Sequence, residues 1–300
     1  MMIKQFFYLA FWFCKAKFFN QKRPLQTIIF ITDECNLSCT HCVIYNHCKP
    51  VHKSYSTIEK ELRQSYRQGA RFVDFEGGEP TLWKDNDLNI NHLINLAKQI
   101  GFFSCTITTN AQNDFSWVKA DSIWVSMDGT KTYHDQVRGN GAFDNMERNI
   151  ALCNNKYLSV NMVVNRDNYV DVKNAIAYAK ENPHIQSIAI NFITPFEGIE
   201  HMKLDWDKQL AIIDEVIAMK KQGYPIMNSY SGLKMMKKKH FKHYCWISNF
   251  IFLDGTSLLE CGGVQLGLCD KCGYSMCGEM ASVMHFKPDT LLAGLNLRVK

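Results

Sequence analysis

The stretch TDECNLSCTHC, residues 32–42, carries Cys35, Cys39 and Cys42. In a reducing compartment, clustered cysteines serve metal binding or catalysis. A fully ligated iron–sulfur cluster takes four cysteines, and structural zinc takes four ligands, commonly as two separated CxxC pairs. The spacing CxxxCxxC fits neither. It lets one loop wrap a single cubane and bind three of its irons. The fourth iron then stays open to a small molecule, as catalytic metal sites keep a position open. A zinc loop completed by His41 or Cys48 is the competing reading.

A second group of thiols follows at Cys245, Cys261, Cys269, Cys272 and Cys277. FIFLDGTSLLEC (250–261) reads as a hairpin turning at Asp254–Gly255, with Cys245 before it and Cys261 at its end. CDKCGYSMC then adds a CxxC pair and one more thiol. A zinc ribbon with the pairs Cys245/Cys261 and Cys269/Cys272 is one way to use them. Cys14, Cys105 and Cys153 sit in apolar stretches and read as small core hydrophobes.

These residues must be positioned by a folded scaffold. The 300 residues suffice for one large domain plus an appendage. A hydrophobic fraction of 46% and a charged fraction of 21% are those of a globular chain. The net charge of +5 permits anionic partners but falls short of a nucleic-acid-binding signature. The apolar run 6–14 is well below the roughly 20 residues that span a bilayer. Lys15 and Lys17 follow it and no A-x-A pattern does, so a cleaved signal is not expected and a cytoplasmic protein is.

Strands are expected at 27–32, 71–76, 102–109, 122–127, 158–164 and 185–193. Helices are expected at 56–70, 88–101, 143–156, 169–182 and 206–222, the first capped by Ser56 and Glu59. Six strand–helix alternations predict a parallel α/β sheet, either a partial (β/α)6 barrel or a doubly wound sheet. Function then gathers at the carboxyl ends of the strands. There lie the cysteine loop, EGGEP (76–80), TTN ending at Asn110, and SMDG with Ser126 and Asp128.

CxxxCxxC after a first strand, with GGEP at the end of the second, resembles the radical S-adenosylmethionine (radical SAM) superfamily over residues 25 to about 195. The resemblance implies a partial barrel and a 4Fe–4S cluster on Cys35, Cys39 and Cys42. Its open iron would chelate S-adenosylmethionine, near His41 for the adenine and near Gly77, Gly78 and Glu79 for the methionine amino group. A glycine there would allow close approach of the ligand. Asn110, Ser126, Asp128 and Arg138 (in HDQVRG) match positions that face the ligand. Asn165 and Asn191 end later strands and are expected at the same cavity. A reductant such as a flavodoxin or ferredoxin is implied.

The later cysteines resemble the auxiliary-cluster modules called Twitch and SPASM. They imply one further 4Fe–4S cluster, on Cys245, Cys261, Cys269 and Cys272, with Cys277 as the alternative ligand. The expected division is a helix at 1–24, a core at 25–200, a helical connection at 201–244 and an auxiliary domain at 245–300. The substrate is expected to be a peptide, a lipid or a small molecule. A non-catalytic iron–sulfur carrier or zinc module is the rival. The aromatic, lysine-edged residues 1–19 and the basic run 234–243 also predict peripheral contact with the inner membrane surface.

Overall fold

The computed structural model of the protein describes residues 2–42 and 49–298, so Cys48 lies outside the described residues. Helix α1 (Met2–Phe18) leads into β1 (Gln26–Phe30) and α2 (Tyr55–Gln68). Next come β2 (Phe72–Glu76), the short pair β3 (Lys84–Asp85) and β4 (Leu88–Asn89), and α3 (Ile90–Ile100). β5 (Ser104–Thr109), β6 (Ser122–Ser126), α4 (Lys131–Arg138), α5 (Ala142–Leu152), β7 (Leu158–Val164), α6 (Val172–Glu181) and β8 (Ser187–Phe192) complete the repeated units. α7 (Trp206–Lys221) and α8 (Tyr230–Met236) then lead to β9 (Ser248–Ile251) and β10 (Ser257–Leu258). The chain finishes with α9 (Gly262–Gln265), α10 (Ser275–Met284) and α11 (Pro288–Arg298).

The main sheet runs β10-β9-β1-β2-β5-β6-β7-β8, with every neighbouring pair parallel except β10 on β9. The six expected strands all form, each trimmed by at most two residues at an end. They form because Ile, Val, Phe and Thr dominate them and bury against the helices. The sheet is open, with β10 and β8 at its edges. One strand was not foreseen in this place. The expected hairpin starts with β9, which pairs in parallel with β1 from Gln26↔Ser248 to Ile29↔Ile251. The cysteine-rich tail therefore extends the barrel sheet, and the expected boundary at 245 falls at this joint.

Two local expectations are corrected. Ser54 caps α2, its hydroxyl accepting from the Thr57 N–H at 3.2 Å. Ser56 lies inside the first turn and Glu59 pairs with Arg63, so the Ser56/Glu59 box is not made. Helix α4, in KTYHDQVR, was also missed, because its polar surface hides a short stripe of buried His134, Val137 and Arg138.

The core lies between sheet and helices, with Ile29, Phe75, Ile107 and Leu93 fully buried. A smaller cluster sits under α1, where Trp12 and Ala16 pack with Leu25, Phe72, Ile247 and Met284. Leu25, Phe72 and Ile247 lie at the amino ends of β1, β2 and β9, so α1 covers the end of the barrel opposite the cysteine loop. No helix among the described residues is long and apolar enough to cross a membrane.

Candidate functional site

The cysteine loop leaves the end of β1 and is clamped by GGEP. The Gly78 N–H donates to Thr32 O and the Glu79 N–H to Glu34 O, both at 2.7 Å. A Cβ on Gly77 would come within 2.5 Å of Thr32 O, and one on Gly78 within 2.2 Å of Glu34 O. Glycine is thus dictated first by the approach of one backbone to another, rather than by ligand approach alone.

Glu79, expected at the ligand, is buried in the chain and does not line the cavity that the cysteine loop borders. Its fully buried carboxylate accepts from the Thr81 N–H and hydroxyl, the Thr109 hydroxyl and the Asn110 N–H. It fastens the loop after β2 to the end of β5. Burial pushes its pKa up, against these four hydrogen bonds.

Above this clamp lies a cavity of about 230 Å³. Cys35, Cys39, Cys42, His41, Gly77, Gly78, Asn110, Ser126 and Arg138 line it, as expected from the sequence. Leu37, Glu76, Thr108 and Thr109 line it too and were not foreseen. The signal for Glu76 was present: period-two alternation sets Asp74 and Glu76 on the face opposite Val73 and Phe75. Burial and neighbouring Asp74 raise the Glu76 pKa to about 7, against a Thr108 hydroxyl bond of 3.3 Å.

All three thiols are half-buried, and desolvation holds up two of them, Cys35 and Cys39, the latter to about 11 although Arg138 opposes the rise. Asn110 Nδ2 reaches Cys35 Sγ at 3.6 Å and Asn36 Oδ1 at 2.8 Å. Arg138 Nη1 lies 3.9 Å from Cys39 Sγ, while its Nε donates to Asp128 Oδ2 at 2.7 Å. Asp128, expected to face the ligand, is fully buried behind Arg138 and off the cavity wall. Its other oxygen accepts from the Val163 N–H, and Asn168 Nδ2 holds its carbonyl.

His41 Nε2 is 3.9 Å from Asp128 Oδ2, and its buried Nδ1 has no partner among the described residues. Burial lowers the His41 pKa, so the ring is neutral. Three soft donors, an orphaned ring nitrogen, a glycine backbone lining the cavity and a guanidinium on one wall fit a cluster with an open iron and a zwitterionic ligand beside it.

Asn165 and Asn191 do not line this cavity. Asn165 accepts from the Asp167 N–H in the turn after β7. Asn191 accepts from both the Ser275 N–H and hydroxyl, tying β8 to the start of α10.

The later thiols gather in a second place. One ligand atom each from His243, Cys245 and Cys277 lies within 4.8 Å of the others, and Cys277 Sγ is 3.7 Å from Cys272 Sγ. The Cys277 thiol, in reach of both Cys245 and Cys272, lowers the pKa of each and is itself held protonated. Burial pushes the Cys261 thiol up, against the Gly263 N–H from which its sulfur accepts at 3.4 Å, and the nearby Cys245, Cys272 and Cys269 add to the rise. Cys277, expected as the alternative ligand, is buried beside Cys245 and Cys272, because α10 packs on α8 and turns it inward. Cys105 and Cys153 are buried as expected, whereas Cys14 is exposed.

The family profile of the Radical SAM superfamily matches residues 29–183. The GTP 3′,8-cyclase of Haemophilus influenzae is 32% identical over 184 residues, covering 54% of this chain and 52% of that enzyme. The chain spans about half the length of the curated relatives it matches. SuiB of Streptococcus suis bound to the precursor peptide SuiA shares the fold, with a TM-score of 0.63 at 18% identity over 96% of this chain and 67% of SuiB. So does anSMEcpe with bound AdoMet and a peptide, with a TM-score of 0.60 at 18% identity over 92% of this chain and 84% of that one.

Proposed function

The chain belongs to the radical SAM superfamily, and from that premise we propose that it is an enzyme whose Cys35, Cys39 and Cys42 hold a 4Fe–4S cluster with S-adenosylmethionine on its open iron. The observation that carries this reading is the convergence of the three thiols, the Gly77–Gly78 backbone and the strand-end residues Asn110 and Ser126 on one cavity. Held by Cys35, Cys39 and Cys42, such a cluster would supply one-electron reductive cleavage of S-adenosylmethionine and, through it, hydrogen-atom abstraction from the substrate.

The chain's own residues bind and align. Arg138, held by Asp128, offers a cation to the methionine carboxylate. Asn110 and Arg138 direct N–H groups at the Cys35 and Cys39 sulfurs, and such bonds tune a cluster's potential. Neutral His41 presents an unpaired ring nitrogen to the adenine. A non-catalytic electron carrier has no use for a polar, glycine-lined cavity beside the thiols, which argues against that rival.

A second 4Fe–4S cluster in the tail belongs to the same reading. The clustering of Cys245, Cys272 and Cys277 supports these three as ligands, with the fourth drawn from Cys261 and Cys269. A flavodoxin or ferredoxin would supply the electrons. A peptide is the favoured substrate class, supported by the peptides named with SuiB and anSMEcpe; the cyclase relatives support a small molecule. A thiol-rich chain of this kind fits a reducing cytoplasm, and residues 1–24 add contact with a lipid surface.

The test is anaerobic reconstitution followed by strong reductant and S-adenosylmethionine. Methionine and 5′-deoxyadenosine are expected, and Cys39→Ala abolishes both. Protein with an intact cluster that forms no 5′-deoxyadenosine would refute the reading.

A further inference from the structure

Helix α1 has two unlike faces. The inward face carries Gln5, Trp12 and Ala16, all buried, with Tyr8 donating to Gly69 O and Trp12 Nε1 to Arg23 O. The opposite face is a continuous apolar stripe of Ile3, Phe7, Phe11 and Phe18, exposed by 75, 65, 59 and 65%. These residues recur at the i, i+4 and i+7 spacings of a single helical side. Phe18 meets the Phe286 ring at its edge, 6.0 Å between centroids, and the described residues leave Ile3, Phe7 and Phe11 open to solvent. Lys4 and Lys15 flank the stripe on one side and Lys17 on the other, with Lys15 Nζ 4.3 Å from the Phe11 ring.

Charge says what such a stripe meets. Residues 1–32 contain no Asp or Glu, while Lys4, Lys15, Lys17, Lys22 and Arg23 lie within the first 24. Those five cations equal the whole chain's formal net charge of +5, so the other 276 residues are neutral in sum. An apolar helical face bounded by lysines lies in the boundary between head groups and acyl chains, and each nearby cation adds about 1 kcal/mol of attraction to an anionic leaflet.

We propose that α1 docks the closed end of the barrel flat on an anionic lipid surface. The place of α1 fixes the orientation. It packs at Leu25 and Phe72, where β1 and β2 begin, whereas the cavity opens at Glu76 and Gly77, where β2 ends. The strand separates the two by about 13 Å at 3.3 Å per residue, and the helix adds its own thickness of roughly 10 Å. A lipid in the docked bilayer does not reach the cysteines. The mouth faces water, so substrate arrives from the aqueous side. This orientation rests on the cavity being the site of reaction; the docking itself does not.

Flotation of the full-length protein with phosphatidylglycerol vesicles tests it, and needs neither cluster nor S-adenosylmethionine, so its outcome is independent of the enzymatic reading. Flotation is expected with anionic vesicles, weaker with phosphatidylcholine alone, and reduced by salt. Phe7→Ser with Phe11→Ser should lower binding at least about tenfold with the thermal unfolding midpoint unchanged, since both side chains face outward. Cluster-loaded protein should bind S-adenosylmethionine equally well on and off vesicles; occlusion by vesicles would overturn the orientation. No flotation, or flotation that the double variant keeps, would overturn the docking. So would a dimer in vesicle-free buffer that the double variant converts to monomer, since a second copy would then cover the stripe.

Discussion

Arg138 and Asp128 form a buried ion pair, Nε to Oδ2 at 2.7 Å, and the free edge of the guanidinium turns to Cys39 Sγ. The pair converts an acid that never touches the cavity into a positioning residue for a base that lines it. Without Asp128 the arginine would be a buried charge lacking its counter-ion, free to swing from the cysteine loop.

Asp128→Asn should therefore cost about 3–5 kcal/mol of stability, the usual consequence of removing one partner of a buried pair. Urea denaturation checks this, and the loaded variant should also bind S-adenosylmethionine more weakly. Burial alone would raise the Asp128 pKa, but the Arg138 guanidinium overrides it and holds the carboxyl below its ordinary 3.8. The stabilisation is complete above that ordinary value and is lost as pH falls through the depressed one. Wild type should thus lose more stability on acidification below pH 4 than Asp128→Asn does.

Glu76 behaves with the opposite sign. Burial, with Asp74 beside it, lifts its pKa from 4.5 to about 7. The folded state then holds a proton that the unfolded state has released, so stability falls as pH rises from about 4.5 through about 7. Glu76→Gln removes this loss and should be the more stable form at pH 8, by up to about 3 kcal/mol. Denaturation of cluster-free protein at pH 6 and pH 8 measures the difference; equal slopes for the two proteins would show that Glu76 stays ionised.

Much of this site was legible beforehand, and for local reasons. Cys35, Cys39, Cys42, Gly77 and Gly78 belong to two contiguous motifs at strand ends, and short β-branched runs mark the strands that hold them. What was not legible depended on distant pairing. Nothing in SNFI announces that β9 will lie beside β1, 222 residues away at Thr27↔Asn249, where the two side chains bond at 2.8 Å. Asp128 looked like a ligand contact because its partner Arg138 sits a helix later, and only the fold of α4 brings the two together. Cys277 looked peripheral because it follows the CxxC pair, yet the packing of α10 carries it inward.

Gly78→Ala tests whether the glycines serve the chain before the ligand. The new Cβ would stand 2.2 Å from Glu34 O and 2.8 Å from Asp33 O, both backbone atoms. The cysteine loop must then shift, at about 1–3 kcal/mol for an overpacked contact. A lower unfolding midpoint in cluster-free protein is the expected result, together with less iron retained after reconstitution. A variant with unchanged stability that loses only S-adenosylmethionine binding would show that ligand approach alone selects glycine here.

Cys277 decides how the tail holds metal. Its sulfur lies 3.7 Å from that of Cys272 and in reach of Cys245, and it is buried where Cys269 is only partly so. If these three thiols ligate a second cluster, reconstituted protein carries about eight irons per chain, from two four-iron clusters. Cys277→Ser should lower that to about four and leave the radical SAM cluster intact, seen as retained cleavage of S-adenosylmethionine without substrate. Cys269→Ser, at a sulfur far less enclosed, should lose less iron than Cys277→Ser. About four irons and one zinc in the unmodified protein would instead assign the tail to a ribbon, and eight irons retained in Cys277→Ser would return the ligand set to Cys245, Cys261, Cys269 and Cys272.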